Sequence, residues 1–321
     1  MTVSRALNSH PQVRDETRRK VLEKAAELNY RPNLWARSMV TRRSHILGLV
    51  VPDISHSFYA EITGGIQEVI EDHGYNLLLC NTHRNPKTEA REIDALLAAR
   101  VDGLIIASEQ PEDNWRYYYD LQQQGIRFVL IDRFFPKLNC SCLTTDDFEA
   151  GRLATQHLLD LGHRRIAHLK GSDISPARLR LEGYQHALRD AGVELNPAWI
   201  VPGNFRLDES RNAMKFLMSL QPRPTAVVAG NDNSAFGAVQ ACREMGLSVP
   251  RDVSVVGIGN VEGDHHPNPF LTTVHWDRSA LGREAGRVLL DEILGPKTKA
   301  PVKKVFPPQL LVRQSTSPPR S

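Results

Sequence analysis

Along most of the chain, apolar positions fall into two alternating patterns. Short runs rich in Val, Ile and Leu, at 45–51, 76–80, 103–107, 127–131, 165–169, 225–229 and 254–257, have the length and composition of buried strands. Between them, at 58–73, 87–99, 148–161, 178–191, 209–220, 231–245 and 277–294, apolar residues recur at three- and four-residue intervals and predict amphipathic helices. Strands alternating with helices predict an α/β fold with parallel sheets, and residues 45–313 suffice for two doubly wound lobes with separate cores. The front of the chain follows a different rule. In TVSRALN, Val3, Ala6 and Leu7 share one helical face and leave Thr2, Ser4, Arg5 and Asn8 outward. A second helix opens at Asp15 and Glu16, carries the stripe Val21, Leu22, Ala25, Ala26 and Leu28 towards a core, and ends at Asn29 before Arg31 and Pro32.

Charge separates these regions further. Residues 1–45 hold ten Lys/Arg against four Asp/Glu, so of the chain's 40 basic and 37 acidic residues the remainder carries 30 against 33. A basic head on a slightly acidic body fits the electrostatic footprint of a nucleic-acid-binding arm and, on charge alone, equally the solvated basic face of an ordinary helix. A short helix showing small polar groups and one Arg suits the major groove: Arg5 can donate a bidentate pair to guanine, with Thr2, Ser4 and Asn8 in reach of phosphates or base edges. Other chemistries are weakly supported. Cys140 and Cys142 form a CxC without a second pair, and Cys80 and Cys242 stand alone, a pattern of reduced thiols in a cytoplasmic protein. GIGN at 257–260 lacks the third glycine of a dinucleotide loop, and His265-His266 lacks a spaced third ligand, so no cofactor or metal is expected. No apolar run nears 18 residues and no export signal is read, which argues against a membrane span and for the cytoplasm. Neither a nucleophile elbow nor a carboxylate pair of defensible spacing suggests an enzyme.

TVSRALN, ETRRKVLEKAAELNYRPN (16–33) and WARSM (35–39) closely resemble the DNA-binding headpiece and hinge of the LacI/GalR repressors, and the resemblance continues to LVRQST at 311–316. It implies that Arg5 reads bases, that Ser4, Asn8, Thr17 and Asn33 contact phosphates, and that Tyr30 helps dock the headpiece. Residues 34–40 would form a hinge helix that orders on the operator, with Ala36 at the DNA and Met39 as the apolar wedge in the minor groove. The family's headpiece has a further helix and turn before the recognition helix, so 1–33 reads as a partial helix-turn-helix and an in-frame segment is expected upstream of Met1. The implied layout is headpiece 1–33, hinge and linker 34–44, and a periplasmic-binding-protein-like core at 45–313. Its N-lobe would span about 45–147 and 278–306 and its C-lobe about 148–277 and 307–313, with the Ser/Pro-rich residues 314–321 a disordered tail.

Such sheets bind ligands beyond the carboxyl ends of their strands. By that rule His56, Phe58 and Tyr59 follow the first strand, Asp132 and Arg133 the fourth, and Asn231 and Asp232 the run at 225–229; Arg180, Phe205 and Trp276 complete the expected effector site. Polar edges with aromatic plates suit a sugar ring, and the resemblance places the same positions in the family's effector pocket. Asp132 and Arg133 also fit a plain strand-end ion pair, and Phe58 and Tyr59 plain core. Three positions depart from the usual pattern: Gly259 where Asp is common, Trp276 where an amide is common, and His56 where Asn is frequent. A sugar or sugar derivative remains the first expectation, with a less hydroxylated or an anionic effector open because Arg133, Arg180 and His56 can meet a carboxylate or phosphate. The expected function is a homodimeric, effector-controlled transcriptional regulator, most simply a repressor, acting on a pseudo-palindromic operator of double-stranded DNA. A solute-binding module without DNA-binding activity is the alternative.

Overall fold

The computed structural model describes residues 3, 6, 12–28, 30, 43–261, 269–296 and 300–320. It divides into two units, Met1–His45 and Ile46–Ser321. In the first, helix α1 (Asp15–Glu27) has Asp15 and Glu16 in its first turn and Lys24 in its last, the arrangement that complements the helix dipole, and Lys20 reaches Glu16 at 2.8 Å. The stripe expected to be buried is not. Val21 and Ala25 are half-buried, Ala26 is exposed, and Leu22 and Leu28 are 48% and 68% exposed. Periodicity identifies the face that seeks cover; among the described residues no neighbour supplies it. Ala6 is buried and Val3 exposed.

The second unit alternates strands and helices throughout. In chain order they are β1 (Ile46–Val51), α2 (Ser57–Glu71), β2 (Asn76–Asn81), α3 (Pro86–Ala98), β3 (Gly103–Ile106), α4 (Trp115–Gln123), β4 (Phe128–Ile131) and β5 (Ser141–Thr145). There follow α5 (Asp147–Asp160), β6 (Ile166–Lys170), α6 (Ser175–Asp190), β7 (Ile200–Pro202), α7 (Leu207–Ser219), β8 (Ala226–Ala229), α8 (Asp232–Glu244), β9 (Ser254–Ile258) and β10 (Thr272–His275). The last elements are α9 (Arg278–Leu294), β11 (Lys303–Phe306) and β12 (Gln309–Leu311).

Two six-stranded sheets result, in the orders β11-β5-β4-β3-β1-β2 and β12-β10-β9-β8-β6-β7. Every pairing is parallel except β10 with β12. Strands covered by helices on both faces must be apolar throughout, and β1, β3, β4, β8 and β9 are almost wholly buried. Each sheet reverses its winding beside its first strand, so crevices open at the carboxyl ends between β1 and β3 and between β6 and β8. The chain passes between the sheets after β5, after β10 and between β11 and β12. Asp146 and Asp277 cap the helices that follow the first two passages, accepting from Glu149 N and Ala280 N.

Several elements carry no apolar run and were not expected. β5 (SCLTT) and β10 (TTVH) are rich in Ser and Thr, β11 (KKVF) is an edge strand whose Lys303, Lys304 and Val305 are exposed, and β7 and β12 have three residues each. Helix α4 (WRYYYDLQQ) is built on aromatics rather than on a Leu or Ile period. Helices α5 and α6 approach unusually closely: a Cβ on Gly151 would collide with the carbonyl oxygen of Arg180, and one on Gly183 with that of Phe148. Two glycines thus set the height of α6 over α5, and with it the backbone from which Arg180 extends.

The terminal segment is the main correction. Residues 315–320 are ordered rather than a loose tail, because their hydroxyls and backbone complete hydrogen bonds of the second sheet. Ser315 is fully buried; its Oγ donates to the Val255 carbonyl at 2.6 Å and accepts from Thr272 N at 2.7 Å, while its carbonyl accepts from Val255 N. Ser317 N donates to Ser254 Oγ at 3.0 Å. Among the described residues no helix is long and apolar enough to cross a membrane. Replacing Ser315 with Ala strands the Thr272 N–H and a Val255 carbonyl bond in the interior, and is expected to lower stability by about 1–3 kcal/mol, read as a lower urea midpoint at unchanged slope.

Candidate functional site

At the carboxyl edges of both sheets lies a narrow cavity, partly open to solvent. The first lobe contributes His56, Phe58, Tyr59, Arg84, Asp132 and Arg133; the second contributes Ile174, Pro176, Arg180, Phe205, Asn231, Ile258 and Gly259, and Trp276 stands at the passage between them. Nine of the ten residues expected at the effector site thus face one space. The tenth, Asp232, is turned aside: its carboxylate accepts from Thr273 Oγ1 at 2.6 Å and from Val261 N at 2.7 Å, which ties α8 to the strands behind the cavity.

The first-lobe wall begins at the N-terminus of α2. His56 caps that helix, its Nδ1 accepting from Phe58 N at 3.3 Å. Burial and then the Arg84 and Arg278 charges push its pKa down to about 4, so the ring is neutral at physiological pH, with its proton on Nε2 as a donor. Phe58 and Tyr59 meet edge to face at 5.0 Å, and the buried Arg278 guanidinium lies 5.5 Å from the Phe58 ring. Both aromatics belong to the first core as well as to the cavity wall. Tyr59 donates to Asp132 Oδ2 at 3.2 Å, and burial raises its hydroxyl pKa well above the usual value. Asp132 and Arg133 form no ion pair with each other. Instead Arg133 donates both terminal nitrogens to Glu109, at 2.8 and 3.2 Å, and Glu109 N in turn donates to the buried Glu89 carboxylate, which also accepts from the Tyr118 hydroxyl. Asp132 takes a left-handed backbone (φ 68), a conformation open to few side chains beyond Asn and Asp.

On the second lobe, Arg180 is the organising side chain. Its Nε donates to Asp147 Oδ1 at 2.8 Å and its terminal nitrogen to the Gly230 carbonyl at 2.7 Å. The guanidinium plane faces Trp276 at 5.4 Å and Phe205 at 5.7 Å, a cation–π contact on each side. Arg178 points outward, as its place two residues earlier on α6 requires, and pairs with Glu112 of the first lobe at 2.6 Å. Asn231 caps α8 through Ser234 N at 2.9 Å while its remaining face borders the cavity. Gly259 has φ 138, which an L side chain rarely adopts, so this backbone favours glycine over the Asp that the family resemblance leads one to expect.

The site's charges are therefore largely settled internally. Arg133 is matched by Glu109, Arg180 by Asp147, and Arg84 lies 3.8 Å from Asp53. What remains to meet a ligand is the Asp132 carboxylate, a neutral imidazole N–H and several flat apolar faces. That set suits a neutral, hydroxyl-bearing molecule better than an anion.

The comparisons with known proteins agree with this architecture. Residues 44–311 match the family model described as periplasmic binding proteins and sugar binding domain of LacI family, and residues 1–33 match that of bacterial regulatory proteins, lacI family. The chain belongs to the LacI family. It is 34% identical to the HTH-type transcriptional regulator DegA of Bacillus subtilis over 99% of this chain and 94% of that protein. Among solved structures, the transcriptional regulator CelR–cellobiose complex is 32% identical with a TM-score of 0.77, covering 97% of this chain and 94% of that one. The lac repressor dimer bound to operator and the anti-inducer ONPF is 27% identical with a TM-score of 0.86, covering 98% and 94%.

In this LacI-family chain the positions expected to face DNA are less fully displayed than the cavity. Thr2, Ser4, Arg5, Asn8, Asn33, Ala36 and Met39 lie outside the described residues; Thr17 is half-buried in the first turn of α1 and Tyr30 is exposed. Arg84, Ile174, Pro176 and Ile258 line the cavity without having been expected there. Arg84 obeys the strand-end rule, three residues beyond β2, and could have been found by it; Ile174 and Pro176 stand at the start of α6 and Ile258 ends β9, apolar positions with no chemical signature.

Asp147 supplies a test. Burial pushes its carboxyl up to about 6, against the opposing pull of Arg180. A raised folded-state pKa means that its contribution to stability is whole below the ordinary value of 3.8 and is lost as pH rises through about 6. Asp147→Asn removes that titration, so wild-type stability minus variant stability is expected to decline as pH rises from about 4.5 to about 7.5 in urea unfolding; a flat difference would assign the titration elsewhere.

Proposed function

We propose that this chain is an effector-controlled transcriptional regulator of repressor type whose interlobe cavity takes a neutral sugar or sugar derivative. The observation that carries the reading is the cavity itself: two guanidinium groups, Arg133 and Arg180, each neutralised by a carboxylate, beside the Asp132 carboxylate, the His56 N–H and the Phe58, Phe205 and Trp276 rings. Hydroxyls would bond to Asp132 and His56, and the C–H face of the ring would lie against an aromatic plate. The relative named for cellobiose and the family model's sugar-binding description support the class of ligand. The amide often found near the last passage is replaced here by Trp276, which favours a ligand with a broad apolar face.

Control follows from the two-lobe architecture. The Arg178–Glu112 pair spans the lobes, and because both side chains are about two-fifths exposed it is worth at most about 1 kcal/mol, so it biases closure without locking it. Ligand held by both walls would shift that balance, and a coupling of about 1–3 kcal/mol between cavity and operator suffices for graded regulation. The operator is double-stranded and pseudo-palindromic, read by a cytoplasmic homodimer; the lac repressor dimer on its operator supports this assembly. A surface for the second copy is the edge strand β2, paired on one side only and presenting Leu78 and Leu79, 41% and 45% exposed. The solute-binding alternative is disfavoured by the match of residues 1–33 to regulatory proteins.

Two measurements test the proposal. Fluorescence anisotropy of operator DNA, titrated against a panel of neutral sugars, should find one that changes affinity; Asp132→Ala should weaken that ligand about 10- to 100-fold, the loss of one charged hydrogen-bond acceptor, and no response to any neutral sugar would reject the ligand class. Leu78→Asp with Leu79→Asp should convert dimer to monomer in sedimentation velocity while leaving the urea midpoint within about 1 kcal/mol of wild type; a dimer that survives both charges places the interface elsewhere.

A further inference from the structure

We propose a second ligand site on the far side of the second lobe, for a small molecule bearing two phosphate groups. A recess of ≈ 200 Å³ opens there, lined by Arg165, Arg223, Arg251 and Arg320 around the single carboxylate of Asp252. Its position follows from the topology. Arg165 immediately precedes β6, Arg223 lies three residues before β8, and Arg251 and Asp252 lie just before β9, so all project from the amino ends of strands whose carboxyl ends border the interlobe cavity. A five-residue strand such as β6 separates the two sites by about 16 Å.

The recess is under-neutralised. Asp252 pairs with Arg320 at 3.2 Å and with Arg251 at 3.9 Å, and among the described residues no carboxylate pairs with Arg165 or Arg223. Four guanidinium groups against one carboxylate leave three positive charges in one concavity, on a body that outside residues 1–45 has 30 basic and 33 acidic residues. His163, in the floor, adds none at neutral pH: burial pushes its pKa down, and its ring nitrogens are engaged by Thr225 Oγ1 and the Ser317 carbonyl, both at 2.9 Å. The scaffold is thus rigid, and the folded-back terminal segment brings Arg320 to complete it.

Chemistry selects the ligand. Guanidinium forks match phosphate bidentately, and each phosphate monoester carries about −1.5 to −2 at pH 7. Two such groups bring about −3 to −4 against the surplus of three. The recess is small, ≈ 200 Å³, which suits a compact diphosphate and not a duplex. The assignment is independent of the ligand class in the interlobe cavity.

Titration calorimetry of the full chain with inorganic pyrophosphate, at fixed ionic strength, should show one saturable site per chain. Affinity should fall at least tenfold in Arg165→Gln/Arg223→Gln, and again in Arg251→Glu; all three positions are exposed, so a urea midpoint equal to wild type verifies folding. Arg84→Gln, which removes the most exposed of the three arginines lining the other cavity, should bind pyrophosphate as wild type does. The proposal is overturned by absence of saturable binding, by binding that survives both sets of variants, by loss in Arg84→Gln, or by a response to an acidic peptide with none to pyrophosphate.

Discussion

The direction of the strands governs this molecule. Because the first sheet is wholly parallel and the second is parallel apart from its edge strand β12, their connecting loops gather by type: turns after strands on one side, turns before strands on the other. Side chains that leave strand ends have few backbone neighbours to satisfy and are free to meet a ligand, which is why residues from seven or more separate segments converge on a single cavity. The glycine-mediated approach of α5 to α6 then sets the depth at which Arg180 enters that space.

Within the cavity, electrostatics is settled before any ligand arrives. Arg133 and Arg180 are nearly buried, and an unpaired charge at such depth would be prohibitive; Glu109 and Asp147 remove that cost and fix the planes of both forks. The aromatic faces of Phe205 and Trp276 beside Arg180 add a further contact to its guanidinium. The arginines therefore act as rigid struts with outward donor edges rather than as free charges, and discrimination passes to Asp132, His56 and the rings.

Local patterning made the seven apolar strands and their amphipathic helices legible, because a strand covered on both faces has no alternative to Val, Ile and Leu. It failed where pairing partners supply what side chains do not. β5 and β10 are held by neighbours on both sides and tolerate Ser and Thr, while β11 sits at an edge where lysines belong. The strand-end rule reached six cavity residues, and Arg180, Phe205 and Trp276 were added by their chemistry and the family resemblance, yet the supports of these side chains were not reached. Glu109 and Asp147 stand 24 and 33 residues from the arginines they hold, a separation without local signature. The terminal Ser/Pro segment misleads for a related reason: short hydroxyl side chains read as solvated, but Ser315 and Ser317 are the right size to finish the hydrogen bonding of β9 and β10.

The three passages between lobes also order the molecule in time. Helix α9 and strand β11, which complete the first lobe, are encoded after nearly all of the second. During synthesis the first sheet emerges without the helix that covers β3, β4 and β5, and stays open until about the last tenth of the chain has left the ribosome. A copy that ended before α9 would leave bare the apolar surface that Leu281, Ala285 and Leu289 cover, so the first lobe owes its closed core to a helix made after the second lobe is nearly whole.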